Sequence, residues 1–368
     1  MSAKHLVIMA AGTGGHVIPG LALATEMKQR GWTISWLGTA HGMENQLVPR
    51  AGIELDTIAF SGLRGKNFIE TVFGGLRLLK AFWNCLGILR RRRASAVLGM
   101  GGYVCFPGGL MAALLGKPLV LVNADAGLLL SNKALLPVAD RVAFGFGFQG
   151  VEKVQQGVVT GNPVRAAIEN LPAPAERFAG RTGPLRVLVV GGSLGAKALN
   201  EAIPAALALL PPEQRPQLVH QTGNANLAAV LADYDERGLM GPGGAEVRPF
   251  IDDMAAELAA ADLVICRAGA ITVSELCAAG VAAVLVPLVV KTTAHQRDNA
   301  EHLAAQGAAI HLPQPEATPA RLAALLSTEL TRARCLALAT AARAQHRPGA
   351  AQRVADAIEA LTQGGRAP

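Results

Sequence analysis

A histidine directly follows a glycine loop near the start of the chain, in Gly12-Thr13-Gly14-Gly15-His16-Val17-Ile18-Pro19-Gly20. Imidazole is the side chain suited to taking a proton near neutral pH, so His16 is a candidate general base. A second glycine loop, Gly191-Gly192-Ser193-Leu194-Gly195-Ala196, follows another apolar run. Backbone N–H groups left free where such a loop opens a helix favour a phosphate, and Ser193 adds a hydroxyl donor. Further on, Gly269 and Ala270 make a turn before Ile271-Thr272-Val273-Ser274-Glu275. A carboxylate such as Glu275 near a helix start can grip two ribose hydroxyls. His295, Gln296 and Asn299 lie in a polar stretch after an apolar run, with amides suited to sugar hydroxyls. Arg165, in Gly161-Asn162-Pro163-Val164-Arg165, is a cation suited to a diphosphate.

The first loop invites a dinucleotide reading, which requires an acidic residue closing the next strand about 20 residues on. The strand after the first loop ends Trp36-Leu37-Gly38-Thr39-Ala40-His41, and the one after the second ends His220-Gln221-Thr222-Gly223-Asn224. Neither carries an Asp or Glu there, which disfavours hydride transfer and leaves phosphate binding in general.

These residues need a scaffold. Short apolar runs at 5–10, 33–38, 96–101, 118–124 and 141–146 alternate with amphipathic stretches, the pattern of a parallel sheet with helices on both faces. The pattern restarts at 185–196, 216–223, 245–250, 261–269 and 282–288, and the chain beyond Ala317 is almost wholly helical in pattern. The Pro- and Gly-rich stretch 170–184 reads as an interdomain linker. The expectation is an α/β protein with two Rossmann-like doubly wound domains facing a cleft, 1–163 and 164–345. A C-terminal helix of about 346–368 can return to the first. In such sheets ligands sit beyond the carboxyl ends of the strands, where every motif above falls.

Length and composition agree with this. At 368 residues, 51% hydrophobic and 17% charged, the chain suits two packed domains rather than disorder. Five cysteines without a CxxC spacing read as reduced thiols, not disulfides or a zinc site. A net charge of +7 points to an anionic partner. No apolar run reaches the roughly 18 residues needed to span a bilayer, and the first is shorter than a secretory signal core, so a cytoplasmic location is expected.

Taken in order, Gly12–Gly20, Trp36–Glu44, Ser61–Lys66, Leu98–Gly109, Gly161–Arg165, Val189–Ala196, Phe250–Met254, Cys266–Glu275 and His295–Ala300 closely resemble the MurG family. Its members are UDP-N-acetylglucosamine:lipid I N-acetylglucosaminyltransferases of bacterial peptidoglycan synthesis. The resemblance implies a GT-B fold with an acceptor- and membrane-facing N-terminal domain and the donor held mainly by the C-terminal domain. It places Ser193 and Arg165 among the donor contacts, Ile251 by the uracil, and Ala270, Ile271, Thr272, Val273, Ser274 and Glu275 around the nucleotide. Glu275 would hold the ribose and Gln296 the sugar. Thr13, Gly14 and Gly15 would line the N-terminal side of the cleft, so the first loop would face the acceptor's diphosphate and the second the donor.

Two positions depart from the family pattern. Asp125 stands where an asparagine is usual, and a carboxylate can accept a hydrogen bond or act as a base but cannot donate as an amide does. Leu194 replaces a common glutamine.

The implied reaction is a single inverting displacement. It moves N-acetylglucosamine from UDP-N-acetylglucosamine to the 4-hydroxyl of the muramoyl sugar of lipid I, giving lipid II. His16 is the first candidate base and Asp125 the second. The resemblance implies no cofactor and no essential metal. The Asp233–Asp235 triplet reads as surface charge, and Asp252 and Asp253 as acids at a helix start. The stretch 68–93 carries Phe73, Leu76, Leu79, Phe82, Trp83 and Leu86 at roughly helical spacing and ends in Arg90–Arg93. It is either a core helix with a solvated basic end or an apolar face dipping into an anionic membrane surface. A polyprenyl-linked acceptor favours the second, hence peripheral attachment at the cytoplasmic face of the inner membrane. Nucleic acid is disfavoured, because the arginine run has no interleaved aromatics. Rival readings are a UDP-N-acetylglucosamine epimerase, a galactolipid synthase and a non-catalytic binding protein.

Overall fold

The computed structural model describes residues 4–12, 14–59, 68–147, 151–192, 194–241, 243–289 and 295–363. The chain forms two compact units, one of residues 1–163 with 349–368, the other of residues 164–348. The first unit runs β1 (His5–Ala10), α1 (Gly14–Gln29), β2 (Thr33–Thr39), α2 (Glu44–Arg50), β3 (Glu54–Ile58) and α3 (Phe68–Arg91). It continues with β4 (Ala96–Gly101), α4 (Cys105–Leu114), β5 (Leu119–Asn123), α5 (Leu130–Leu135), β6 (Arg141–Phe144) and β7 (Gly157–Val159). The second opens with α6 (Ala166–Glu169), α7 (Pro174–Phe178), β8 (Arg186–Val190), α8 (Lys197–Ala208), β9 (Gln217–Gln221) and α9 (Leu227–Glu236). Then come β10 (Glu246–Arg248), α10 (Met254–Ala260), β11 (Leu263–Cys266), α11 (Ala270–Ala279), β12 (Ala282–Leu285) and α12 (His295–Ala305). It closes with β13 (Ile310–His311), α13 (Pro319–Ala324) and α14 (Arg332–Ala344), and α15 (Ala350–Gln363) belongs to the first unit.

Both sheets are parallel, in the orders β3-β2-β1-β4-β5-β6-β7 and β10-β9-β8-β11-β12-β13. Their strands read as unbroken apolar runs because both faces are covered. In β1, Leu6, Ile8 and Ala10 join one buried cluster with Val17, Leu23 and Met27 of α1, while Val7 and Met9 join another with Cys85 and Leu89 of α3. The first cluster also takes in Val354, Ala355 and Ile358 of α15. Arg30 pairs with Asp356 and Glu359, and the Trp32 indole N–H donates to Glu359, so polar ties frame this apolar contact.

In the second unit Val187 and Val189 of β8 pack with Ile203 of α8, Tyr234 of α9, Ile265 of β11 and Ala339 of α14. The stretch 170–184, expected as a linker, is instead part of this body, with Phe178 buried. Its arginines explain why. Arg177 donates to the carbonyls of Leu258, Ala279 and Gly280, and Arg181 to those of Ala259 and Ala260 and to buried Asp262. Together they cap the carbonyl ends of α10 and α11 with positive charge, where the helix dipoles favour it. Burial pushes Arg177 down to about 10. The five cysteines are all buried and unpaired, and burial pushes their thiols up to about 12, which makes them inert.

One buried group makes stability depend on pH. His220 of β9 is fully buried, with Nδ1 2.9 Å from the Tyr234 hydroxyl and no partner on Nε2. Burial pushes its pKa from 6.5 down to about 4. The unfolded chain therefore binds a proton at His220 before the folded one does, and stability falls as pH drops through that window. The expected loss is roughly 2 kcal/mol by about pH 5, rising to roughly 3 at the bottom of the window. Urea titrations at about pH 7.5 and pH 5 should show His220→Asn losing less stability on acidification than the native chain. An equal loss in both would refute the assignment.

Candidate active site

Ligands of doubly wound sheets sit where the strand order reverses, beyond the carboxyl ends. The reversal falls between β1 and β4 in the first sheet and between β8 and β11 in the second. Both glycine loops follow a strand at such a point.

In the first unit α1 begins at Gly14, and Thr13 lies outside the described residues. His16 stands in the first turn of α1, its Nδ1 3.4 Å from the Ala11 carbonyl. A carbonyl accepts only, so in this contact Nδ1 carries the hydrogen. The ring lies against Gly101 at the end of β4. That residue has φ of 123°, and a Cβ on it would stand 2.6 Å from the His16 ring. Only glycine serves there. Asp125 lies beyond β5 on a loop fixed by asparagines. The Asn123 amide donates to the carbonyls of Asp125 and Gly127, and Asn162 donates to that of Ala124. The Gly12 N–H, which sequence reasoning left open to a ligand's diphosphate, donates to the Glu44 carboxylate at 3.0 Å.

In the second unit the glycine loop is held from below. Gln221 donates to the Gly192 carbonyl, and Asn226 to those of Leu194 and Thr222. Gly195 has φ of 76°, and a Cβ there would collide with the Thr222 carbonyl. Ser193 lies outside the described residues, and Leu194 is 87% exposed. Arg165 precedes α6 and grips Glu275 with two parallel hydrogen bonds, Nε to Oε1 at 2.7 Å and Nη2 to Oε2 at 3.0 Å. Glu275 is in the second turn of α11.

The first turn of α11 offers backbone more than side chains. Ala270, Ile271 and Val273 turn inward, the Val273 N–H reaches Gly269, and the Ser274 hydroxyl donates to the Ala270 carbonyl. Thr272 is half-buried. Gln296, in the first turn of α12, accepts from the Leu288 N–H through Oε1 at 2.9 Å. Asn299 donates to the Ala268 carbonyl. Ile251 is buried beyond β10, beside an exposed Phe250.

Sequence reasoning missed Glu44, Gln221, Asn226 and Arg267. Arg267 follows β11, donates to the Val286 carbonyl, and has its pKa lowered by burial. Of the acids weighed as metal ligands, Asp253 caps α10 and Asp233 of α9 pairs with Arg237 just beyond the end of that helix. Among the described residues no group of three or more His, Cys, Asp or Glu could hold a metal ion. A cavity of about 260 Å³ lies at the amino ends of β8, β9 and β10, away from these residues, with Arg186, Gln217 and Glu246 in its lining.

The stripe on α3 divides. Cys85, Leu86 and Leu89 face the core and the Phe82 ring stands 6.1 Å from that of Phe106, while Leu79 and Trp83 are 57% and 72% exposed. The side chains of Phe73 and Leu76 lie outside the described residues. Half of the arginine run is spent internally, since Arg91 and Arg92 pair with Asp56, and Arg92 also with Glu54. No described helix is long and apolar enough to cross a membrane.

Residues 6–144 match the glycosyltransferase family 28 N-terminal domain and residues 186–361 its C-terminal domain. The chain is 66% identical over 366 residues to the UDP-N-acetylglucosamine--N-acetylmuramyl-(pentapeptide) pyrophosphoryl-undecaprenol N-acetylglucosamine transferase of Methylibium petroleiphilum, covering 99% of both. It is 60% identical to the enzyme of the same description from Janthinobacterium, covering 98% of this chain and 99% of that one. Among solved structures, Acinetobacter baumannii MurG superposes with a TM-score of 0.82 at 38% identity, over 97% of this chain and 100% of that one.

Proposed function

The chain belongs to glycosyltransferase family 28, and on that footing we propose that it moves N-acetylglucosamine from UDP-N-acetylglucosamine to the 4-hydroxyl of the muramoyl sugar of lipid I, giving lipid II. It is a hexosyltransferase of peptidoglycan synthesis with a GT-B fold. The observation that most supports the substrates is the full-length likeness to transferases named for them, carried by a chain whose chemical groups gather at two strand-order reversals.

The first unit serves the acceptor and the second the donor. His16 takes the proton of the 4-hydroxyl on Nε2 as the oxygen attacks the anomeric carbon, and the bond to the UDP oxygen breaks on the opposite face. One displacement inverts the anomeric centre. Asp125 is the second candidate for the base. Charge developing on the UDP is met by Arg165, Ser193, the amides of the second glycine loop and the N-terminus of α11. Glu275 takes the ribose hydroxyls, Ile251 lies by the uracil, Ala270 to Ser274 supply the helix turn that wraps the nucleotide, and Gln296 holds the sugar. Thr13, Gly14 and Gly15 line the acceptor side.

The test is UDP release from UDP-N-acetylglucosamine, with and without a short-chain lipid I analogue, under a chelator. Release that needs the acceptor and survives chelation is expected. Release indifferent to acceptor would overturn the reading, and conversion of the donor to another sugar nucleotide would mark an epimerase.

The enzyme works as a peripheral protein on the anionic cytoplasmic face of the inner membrane and takes no nucleic acid. Leu79 and Trp83 on α3 enter the interface, with Arg77, Lys80 and Arg90 meeting headgroups. Trp83→Glu should lower co-sedimentation with anionic vesicles at least several-fold while leaving UDP affinity intact. Unchanged sedimentation would remove α3 as the contact.

A further inference from the structure

Glu44, the first residue of α2, is a fully buried carboxylate in which both oxygens are engaged. Oε2 accepts from the Gly12 N–H at 3.0 Å, and Oε1 accepts from the Thr39 N–H at 3.0 Å and the Thr39 hydroxyl at 2.7 Å. The neighbouring Met43 N–H donates to the Gly12 carbonyl at 3.1 Å, so both polar groups of Gly12 are tied to the turn between β2 and α2. Hydrogen bonds to an ionised acceptor are about twice as strong as neutral ones, and a buried carboxylate with three donors has one orientation. Gly12 follows Ala11, whose carbonyl meets His16 Nδ1.

We infer that Glu44 is a positioning residue for the reaction. Its carboxylate holds the Ala11–Gly12 turn at the end of β1, so that the Ala11 carbonyl orients the His16 imidazole and fixes its tautomer. This rests on the reading of His16 as the base. The same carboxylate fills the loop's first amide with an internal anion, so the loop meets an acceptor with the remaining N–H groups at the start of α1.

Glu44→Gln is close to isosteric, but its amide can keep only one side satisfied. If Oε1 accepts from Thr39, the NH₂ group faces the Gly12 N–H, donor against donor, and the turn must shift. A displacement of about 1 Å in a reacting group can cost on the order of a hundredfold in rate. In the full-length enzyme, Glu44→Gln should lower kcat by about 10- to 100-fold, distort the acid limb of the kcat–pH profile, and leave the UDP dissociation constant within about twofold.

Ile358→Val, which removes a methylene from the same unit's core, is the control for lost stability and should keep kcat. If Glu44→Gln does not fold, Thr39→Val removes one of the three donors and should lower kcat in the same direction by a smaller factor. Unchanged kcat in the folded Glu44 variant, or a fall matched by Ile358→Val at equal loss of Tm, overturns the inference. Retained activity in His16→Ala overturns the base and the role of Glu44 with it. Loss in His16→Ala beside normal turnover in Glu44→Gln overturns Glu44 alone.

Discussion

His16→Ala loses about three orders of magnitude in kcat, within the span of roughly 10²- to 10⁴-fold that a positioned general base contributes, and keeps its affinity for UDP. The two halves of this expectation have separate causes. The imidazole belongs to the first unit, whereas the residues assigned to the nucleotide belong to the second. A loss confined to kcat means the group acts in the transition state rather than in donor binding. His16→Gln should be nearly as poor, because an amide fills the space without offering a basic nitrogen. Gly101→Ala supplies an independent check, since its methyl would enter the space of the His16 ring and its backbone would hold a strained φ. It should lower kcat without touching UDP affinity. Full activity in His16→Ala would move the base to Asp125.

Glu275→Ala raises the dissociation constant for UDP by about 10- to 100-fold, each tenfold corresponding to about 1.4 kcal/mol, with hydrogen bonds to a charged group contributing about 1.5–3 kcal/mol. The geometry adds a distinction. Glu275 and Arg165 hold each other in a bidentate pair, with the Arg165 side chain 46% exposed. The Glu275 side chain is only 12% exposed, but the guanidinium end of the pair is open to water, where a diphosphate can reach it. Deleting Glu275 frees Arg165 for the diphosphate and offsets part of the lost ribose contact. Uridine, which has no phosphate, gains nothing from that release. Glu275→Ala should therefore weaken uridine by a larger factor than UDP, and Arg165→Gln should weaken UDP and leave uridine nearly unchanged. Calorimetric titration of both ligands against both variants decides it, and equal losses for the two ligands would show that the pair does not divide its work this way.

The scaffold was legible because its signals are local. Unbroken apolar runs such as Leu6–Met9 and Leu263–Cys266 announce strands covered on both faces, and each glycine cluster after a run marks a strand-to-helix turn. Candidate site residues could be named where residue type and position coincide, as for His16, which stands in the first turn of α1. Pairings across sequence were not. Gly12 and Glu44 are 32 positions apart, Gly192 and Gln221 are 29, and Arg165 and Glu275 are 110. Nothing within either partner's neighbourhood announces the other. The arginine run at the end of α3 shows the same limit, since its composition gives four cations where folding pairs two of them with Asp56 and Glu54. Composition misled at 170–184 as well. Prolines and glycines there suggested a linker, but Arg177 and Arg181 find helix-end carbonyls that exist only once the second unit has folded.

The most direct test of the account is the linkage formed in the product. The enzyme would be given UDP-N-acetylglucosamine labelled with carbon-13 at the anomeric position, together with a short-chain lipid I analogue, and the product examined by NMR. One inverting displacement assisted by His16 predicts a single β-linked N-acetylglucosamine on O4 of the muramoyl sugar. An α-linked product, label recovered only as free sugar, or label returned in an epimerised sugar nucleotide would contradict it.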